Sequence, residues 1–394
     1  MSGLADRSLD LRIRDRLRFG VGAIDVLPEM VRETGSGRAF VVTDPGVRAS
    51  GVIDRVLAVL AAADLEAGVF AEVEPNPGAT TVERGAAALR MFRTTGTTVV
   101  AVGGGSAMDT AKALSLRAMN DAPVWELGYD DPGMTPGRPL IAVPTTAGTG
   151  AETNSFAVIT NEIAGRKSYI GHPSLLPVAT ILDPALTVGL PPAATAASGI
   201  DALTHALESL LSANPNPFAE AMALGAIRMV GQSLRAAVSD GSDLEARSAM
   251  LMASHLAGLG QASGTGVGLV HALGHAIGTR GRLTHGLALA VILPEVLGSY
   301  RGIRDRELGL VGVALGGGAP DDDSALAAAA AIEAIRRLCA DVGQRPTLAA
   351  LGFDDATLEL ITDDALDDPA IRNSPRIPTR PEARAILAAV AGAD

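Results

Sequence analysis

The chain has 394 residues, 47% of them hydrophobic, a formal net charge of −12 and a single cysteine. That supplies two domains of ordinary size with cores of their own and excludes a small fold stapled by disulfides, since Cys339 has no partner. The acidic balance and 3% aromatic content argue against nucleic acid as a partner, because binding there needs Lys and Arg to neutralise phosphates and aromatic rings to stack on bases.

The first 20 residues alternate charged and apolar side chains, with no continuous apolar stretch of signal-peptide type. The longest apolar runs, such as Ala325 to Ile332, fall far short of the roughly 20 residues that cross a bilayer. The mean hydropathy of +0.27 therefore reflects alanine-rich helices. A soluble protein in the reducing cytoplasm, without a membrane partner, is the expectation.

Up to about residue 190, β-branched runs alternate with alanine-rich stretches, the pattern of a parallel sheet with crossover helices. Strands are predicted at Ala39 to Thr43, Val69 to Val73, Thr97 to Val102 and Leu140 to Val143. Crossover helices are predicted at Ile53 to Ala63, Thr80 to Phe92 and Ala107 to Arg117. Pro and Gly cluster in loops at Pro75 to Gly78 and Pro132 to Gly137. After Leu190-Pro191-Pro192 the period becomes helical, over Ala194 to Ser212, Pro217 to Ser239, Leu244 to Gln261 and Val270 to Thr279, with an acidic surface loop at 317–323. The reading is an α/β N-terminal dinucleotide-binding domain over residues 1–190 and an all-α domain over 191–394, with the active site expected in the cleft between them.

Thr98 to Lys112 (TVVAVGGGSAMDTAK) runs as strand, glycine turn and helix. Gly103, Gly104 and Gly105 let the backbone approach a bulky anion, and the following helix offers N–H groups and a positive dipole end. Ser106 and Asp109 have capping-box spacing. The turn is not the G-x-G-x-x-G fingerprint, since Met108 stands at the third glycine position. Two further segments support a nucleotide. Asp44 ends the strand AFVVT, where a carboxylate can accept from an adenosine ribose and would repel a 2′-phosphate, although a helix N-cap is the commoner role of such an Asp. Thr145, Thr146 and Thr149 lie on the loop PTTAGTG that follows another strand.

Asp201 and His205 are four apart in a helical stretch, so their side chains share one face. His271 and His275 repeat that spacing, and His285 opens the next segment. A lone histidine is more often a surface or satisfied core residue, but four of the six histidines fall here in apolar surroundings beside an Asp. A carboxylate with neutral imidazoles and no nearby cysteine suits a first-row divalent ion. His172 is expected near the cleft, and His255 is expected to be structural.

With VGGGSAMDTAK, PTTAGTGAET, DPALTVGLPP, SGIDALTHALES, VHALGHAIG and NSPRIPT in this order, the chain resembles the iron-containing (group III) alcohol dehydrogenases over essentially its whole length. The resemblance implies the dehydroquinate synthase-like fold, NAD (NADP being possible) and one divalent metal, Fe²⁺ or else Zn²⁺. It assigns Asp201, His205, His271 and His285 to the metal and places His275 near the substrate and nicotinamide. Asp44, Asn76, Gly103, Gly104, Gly105, Ser106, Thr145, Thr146 and Thr149 go to the nucleotide, with Lys167 near the nicotinamide ribose. Asn76 and Lys167 rest on the resemblance alone.

The implied activity is hydride transfer between nicotinamide C4 and a small alcohol, aldehyde or ketone, in a homodimer or larger homo-oligomer. Alternatives are a hydroxyacid-oxoacid transhydrogenase, a metal-free maleylacetate-type reductase, which the filled ligand positions disfavour, and a dehydroquinate synthase-like lyase. The lyase would need a basic cluster, for which Arg166, Lys167 and Arg280 are the candidates. Relatives acting on small diols carry an aromatic residue and an asparagine where this chain has Ala262 and Gly264, so a roomier pocket and a larger substrate are expected.

Overall fold

The structure, a computed structural model, describes residues 16–128, 133–162, 166–317 and 324–392. Most of the acidic loop predicted at 317–323 and the first 15 residues lie outside this set. The chain forms two compact units. One runs up to Thr146 and from Gly150 to Leu190; the other holds Ala147–Thr149 and everything from Pro191.

The first unit is a six-stranded parallel sheet between helices. Its strands are β1 (Leu17–Phe19), β2 (Arg38–Val42), β3 (Glu66–Phe70), β4 (Thr97–Gly103), β5 (Leu140–Pro144) and β8 (Ala179–Leu182), in the order β1-β8-β5-β4-β2-β3. β6 (Phe156–Asn161) and β7 (Arg166–Gly171) form a separate antiparallel hairpin. The helices are α1 (Leu27–Glu33), α2 (Pro45–Ala49), α3 (Val52–Ala62), α4 (Ala79–Phe92) and α5 (Gly105–Arg117).

All seven residues of β4 are buried, and its side chains alternate between two cores. Val99 and Ala101 pack with α4 and α5, whereas Val100 and Val102 pack with α1 and α3. Chain order reverses at β2 and β4: β3 lies outside β2, and the chain returns past β2 to form β4. The carboxyl ends of strands at such a reversal are where open parallel sheets bind ligands.

The strand predicted at Val69 to Val73 forms three residues earlier. β3 is an edge strand that opens on Glu66, which accepts from Arg38 Nε of β2 at 2.6 Å, so its polar start hides it from a hydrophobic count. The expected Ser106–Asp109 capping box does not form. α5 begins at Gly105 with Gly104 as its N-cap and no side-chain cap, while Asp109 accepts from Val158 N of β6 at 3.1 Å.

The second unit is helical in its described residues: α6 (Pro192–Leu211), α7 (Pro217–Ser239), α8 (Leu244–Gly260), α9 (Leu269–Gly281), α10 (His285–Ser299), α11 (Asp305–Ala314), α12 (Ser324–Asp341), α13 (Asp355–Asp367) and α14 (Arg380–Ala388). α6 is its central element, with 16 of 20 residues buried, so any polar group on it must find a partner inside the protein. A π-helical turn, Gln261–Thr265, separates α8 from α9. No helix among the described residues is long and apolar enough to cross a membrane.

Lys112 of α5 is fully buried and donates to Ala151 O (2.6 Å), Asn154 Oδ1 (2.7 Å) and Phe156 O (2.9 Å), which uses all three of its protons. Loss of solvation pushes Lys112 down to about 8 and half-buried Asp109 up to about 6, each opposed by the other's charge. Lys112→Met strands three acceptors and the Asp109 charge, so urea unfolding should show a loss of about 3–5 kcal/mol. Adding Asp109→Asn should recover part of it, and additive losses would show the two groups to be independent.

Candidate metal centre and nucleotide turn

Asp201 and His205 sit one turn apart on α6, with Glu208 a further turn along the same stripe. His271 and His275 occupy the first two turns of α9, and His285 is the first residue of α10. α10 comes this close to α6 only because residue 286 is glycine, whose missing Cβ would collide with the carbonyl oxygen of Ala197.

One carboxylate oxygen organises the group. Asp201 Oδ1 lies 3.8 Å from His205 Nε2, 3.8 Å from His271 Nε2 and 3.5 Å from His285 Nε2. These separations are too long for hydrogen bonds. Asp201 Oδ1 and His271 Nε2 are indeed buried with no hydrogen-bond partner. Two orphaned buried polar atoms facing one another are what a cation with N and O ligands at about 2 Å would satisfy. Asp201, His271 and His285 form the tightest trio, with ligand atoms all within 4.8 Å of one another. His205 shares the Asp201 contact but stands slightly wide of that trio, its ring stacked on His271 with centroids 4.7 Å apart.

The far nitrogens are anchored. His271 Nδ1 donates to Glu208 Oε2 at 2.6 Å, and His205 Nδ1 makes a long 3.4 Å contact to Gly148 O. A carbonyl or carboxylate can only accept, so each Nε2 is turned inward. His275 points elsewhere: its Nδ1 pairs with Asp368 Oδ2 at 2.7 Å, and its ring stacks on His285 at 5.5 Å. Glu208 and Asp368 were not singled out by sequence. Glu208 lies seven residues from Asp201 and three from His205, a spacing that marks it; Asp368, 93 positions from His275, carries no such mark.

Burial opposes the charge on Asp201, but His205, His285 and His271 together hold its carboxyl well below the usual range. Burial keeps His205 neutral. For His271, burial is outweighed by the Glu208 and Asp201 carboxylates, which push it up to about 9.

In the α/β unit, Gly103 has φ 152° and a Cβ there would stand 2.6 Å from that of Ala107, so no side chain fits. Thr145 N donates to Gly103 O, and the Thr146 side chain lies against Gly104. Asp44 caps α2 by accepting from Val47 N at 2.9 Å, while its other oxygen faces Gly103. The N-cap and ribose readings of Asp44 are therefore compatible. With Ser106 at the uncapped start of α5, these groups line the ends of β2, β4 and β5.

Asn76 takes a left-handed φ of 51°, and its carbonyl accepts from Thr160, which pairs with Lys167 on the hairpin. Thr149 belongs to the helical unit. His172 caps a short turn by accepting from Ser174 N, and His255 is buried in α8. Arg280 is engaged by Asp364 at 2.6 Å. Ala262 and Gly264 lie exposed on the π turn.

The chain thus combines a parallel sheet carrying an uncapped glycine turn with a helical unit that gathers three imidazoles on a buried carboxylate. The model of the iron-containing alcohol dehydrogenase family matches residues 15–184, and that of the family's C-terminal region matches residues 195–391. Probable alcohol dehydrogenase EutG of Salmonella typhimurium is 38% identical, over 92% of this chain and 89% of its own. A 1,3-propanediol oxidoreductase structure superposes with TM-score 0.93 at 35% identity, covering 98% of this chain and 100% of the other. Sulfoacetaldehyde reductase from Bifidobacterium kashiwanohense, solved in complex with NAD⁺, gives 0.88 at 27%, covering 98% and 100%. The chain belongs to the iron-containing alcohol dehydrogenase family. It is an oxidoreductase acting on CH–OH groups, an alcohol dehydrogenase.

Because His271 sits above its ordinary 6.5, its contribution to stability is complete below that pH and is lost as pH rises through about 9. Chelator-stripped protein should therefore melt at progressively lower temperature between those values, and His271→Gln should flatten the slope. Cation uptake should show the opposite trend, releasing a proton and tightening towards pH 9. A pH-independent affinity would contradict the assignment of His271.

Proposed function

We propose that this alcohol dehydrogenase is NAD-linked and metal-dependent, with one divalent cation, Fe²⁺ or else Zn²⁺, held by Asp201, His205, His271 and His285. The observation that carries the reading is the three Nε2 atoms 3.5–3.8 Å from one buried, otherwise unpartnered Asp201 oxygen. When bound, the cation supplies a Lewis acid for the alcohol or carbonyl oxygen, and the nicotinamide accepts or gives the hydride.

The chain's own groups would do the rest. Gly103, Gly104, Gly105 and Ser106 would hold the pyrophosphate with the first-turn N–H groups of α5. Asp44 would take the ribose and disfavour a 2′-phosphate, which supports NAD over NADP. The NAD⁺ complex of the similar sulfoacetaldehyde reductase points the same way. Asn76, Thr145, Thr146, Thr149 and Lys167 complete the proposed cofactor contacts.

His275 would move the proton. With Nδ1 held by Asp368, its ring is oriented, and Nε2 would exchange the alcohol proton with solvent. A substrate larger than a three-carbon alcohol is supported by exposed Ala262 and by Gly264, around whose absent Cβ no atom lies within 4 Å. A homodimer or larger assembly rests on family resemblance.

Stripping the metal should abolish NAD⁺ reduction by a panel of alcohols, and Fe(II) or Zn(II) should restore it; full activity in stripped protein would refute the metal requirement. His275→Ala should lower turnover by about 10²- to 10⁴-fold and alter the pH profile while leaving metal content intact. Loss of metal in that variant would make His275 a ligand instead.

A further inference from the structure

We propose that Glu208 is the positioning residue of this centre, one carboxylate that orients His271 and at the same time anchors the start of the helix carrying it. The inference rests on the reading of the Asp201 cluster as a cation site and adds a residue that touches neither cation nor substrate.

Glu208 is buried, with 5% of its surface exposed. Its Oε2 accepts from His271 Nδ1 at 2.6 Å and from Gly268 N at 2.8 Å, and its Oε1 accepts from Val270 N at 2.7 Å. Three donors thus converge on a group that can only accept. Gly268 is the N-cap of α9 and Val270 its second residue, so two of the donors are first-turn N–H groups that otherwise have no partner within the helix. The third is the imidazole whose opposite nitrogen faces Asp201.

A helix anchor alone would need only the two backbone bonds. The bond to His271 adds something different: it places the hydrogen on Nδ1, leaves the Nε2 lone pair for a cation, and raises the ring's basicity as a ligand. Because the same carboxylate grips residues 268, 270 and 271, the ring cannot shift without the first turn of α9 shifting too. No neutral side chain supplies this. A glutamine has a single acceptor oxygen, so it must either lose the Val270 bond or turn an N–H towards His271 and Gly268. Glu208 also brings the buried carboxylates at the site to two, with Asp201, matching the charge of a divalent ion.

The test is Co(II) titration of chelator-stripped protein, followed by its visible absorption, with thermal melts of the metal-free forms. Glu208→Gln should fold and bind Co(II) about 10- to 100-fold more weakly than wild type. In a His271→Asn background the same change should add no further loss, because Glu208 then has no ligand to act through. Wild-type affinity in Glu208→Gln, or an undiminished penalty in the His271→Asn background, would overturn the proposal while leaving the cation site standing. Should Glu208→Gln fail to fold, Glu208→Asp keeps the charge but falls a methylene short of His271, and the same pair of comparisons decides. Wild-type protein that takes up no Co(II), or uptake unaffected by Asp201→Asn, would overturn the cation reading and this inference with it.

Discussion

The carboxylate of Asp201 stands in the middle of a helix that is buried along nearly its whole length, with one oxygen reached by no hydrogen-bond donor. A charge there costs several kcal/mol unless something of opposite sign compensates it. The surrounding architecture turns imidazoles towards it from three helices: His205 from α6 itself, His271 from the first turn of α9 and His285 from the start of α10. The bare-edged Gly286, the carboxylate of Glu208 under His271 and the carbonyl of Gly148 behind His205 all serve to bring imidazole Nε2 atoms to this one oxygen. A polar cluster so placed is poor at stabilising a fold and well suited to holding a cation.

The α/β unit solves a different problem by leaving something out. Of the helices α1 to α5 only α2 has a side-chain N-cap, Asp44, and α5 begins on glycines that have none to offer. Its first-turn N–H groups stay available at the end of β4, all seven residues of which are buried. Just beyond, Lys112 and Asp109 tie α5 to the segment from Ala151 to Val158, which holds the helix rigid behind its uncapped end. Rigidity behind and open donors in front are what an anion site on a glycine turn requires.

Reading by local spacing succeeded where the physics is local. The strand, turn and helix from Thr97 to Arg117 are contiguous, and the i, i+4 pairs of α6 and α9 follow from helical pitch alone. It failed where a partner lies far along the chain. Asp109 has the spacing of a capping residue, but Val158, 49 positions later, offers its N–H from β6. The start of β3 reads as polar because Glu66 answers Arg38 across the sheet edge. The spacing of Glu208 puts it on the Asp201–His205 stripe, but its three donors lie 60 to 63 positions further along the chain.

The two-part pattern of elements, the glycine turn and the grouping of Asp201, His205, His271, His275 and His285 as candidates are legible in the chain, because periodicity and backbone freedom are properties of short segments. Which nitrogens face Asp201, the turn of His275 towards Asp368 and the place of Glu208 behind His271 emerge from the folded chain alone. The pairings of His271 with Glu208 and of His275 with Asp368 span 63 and 93 positions, and no short-range rule of backbone or side-chain geometry reaches that far.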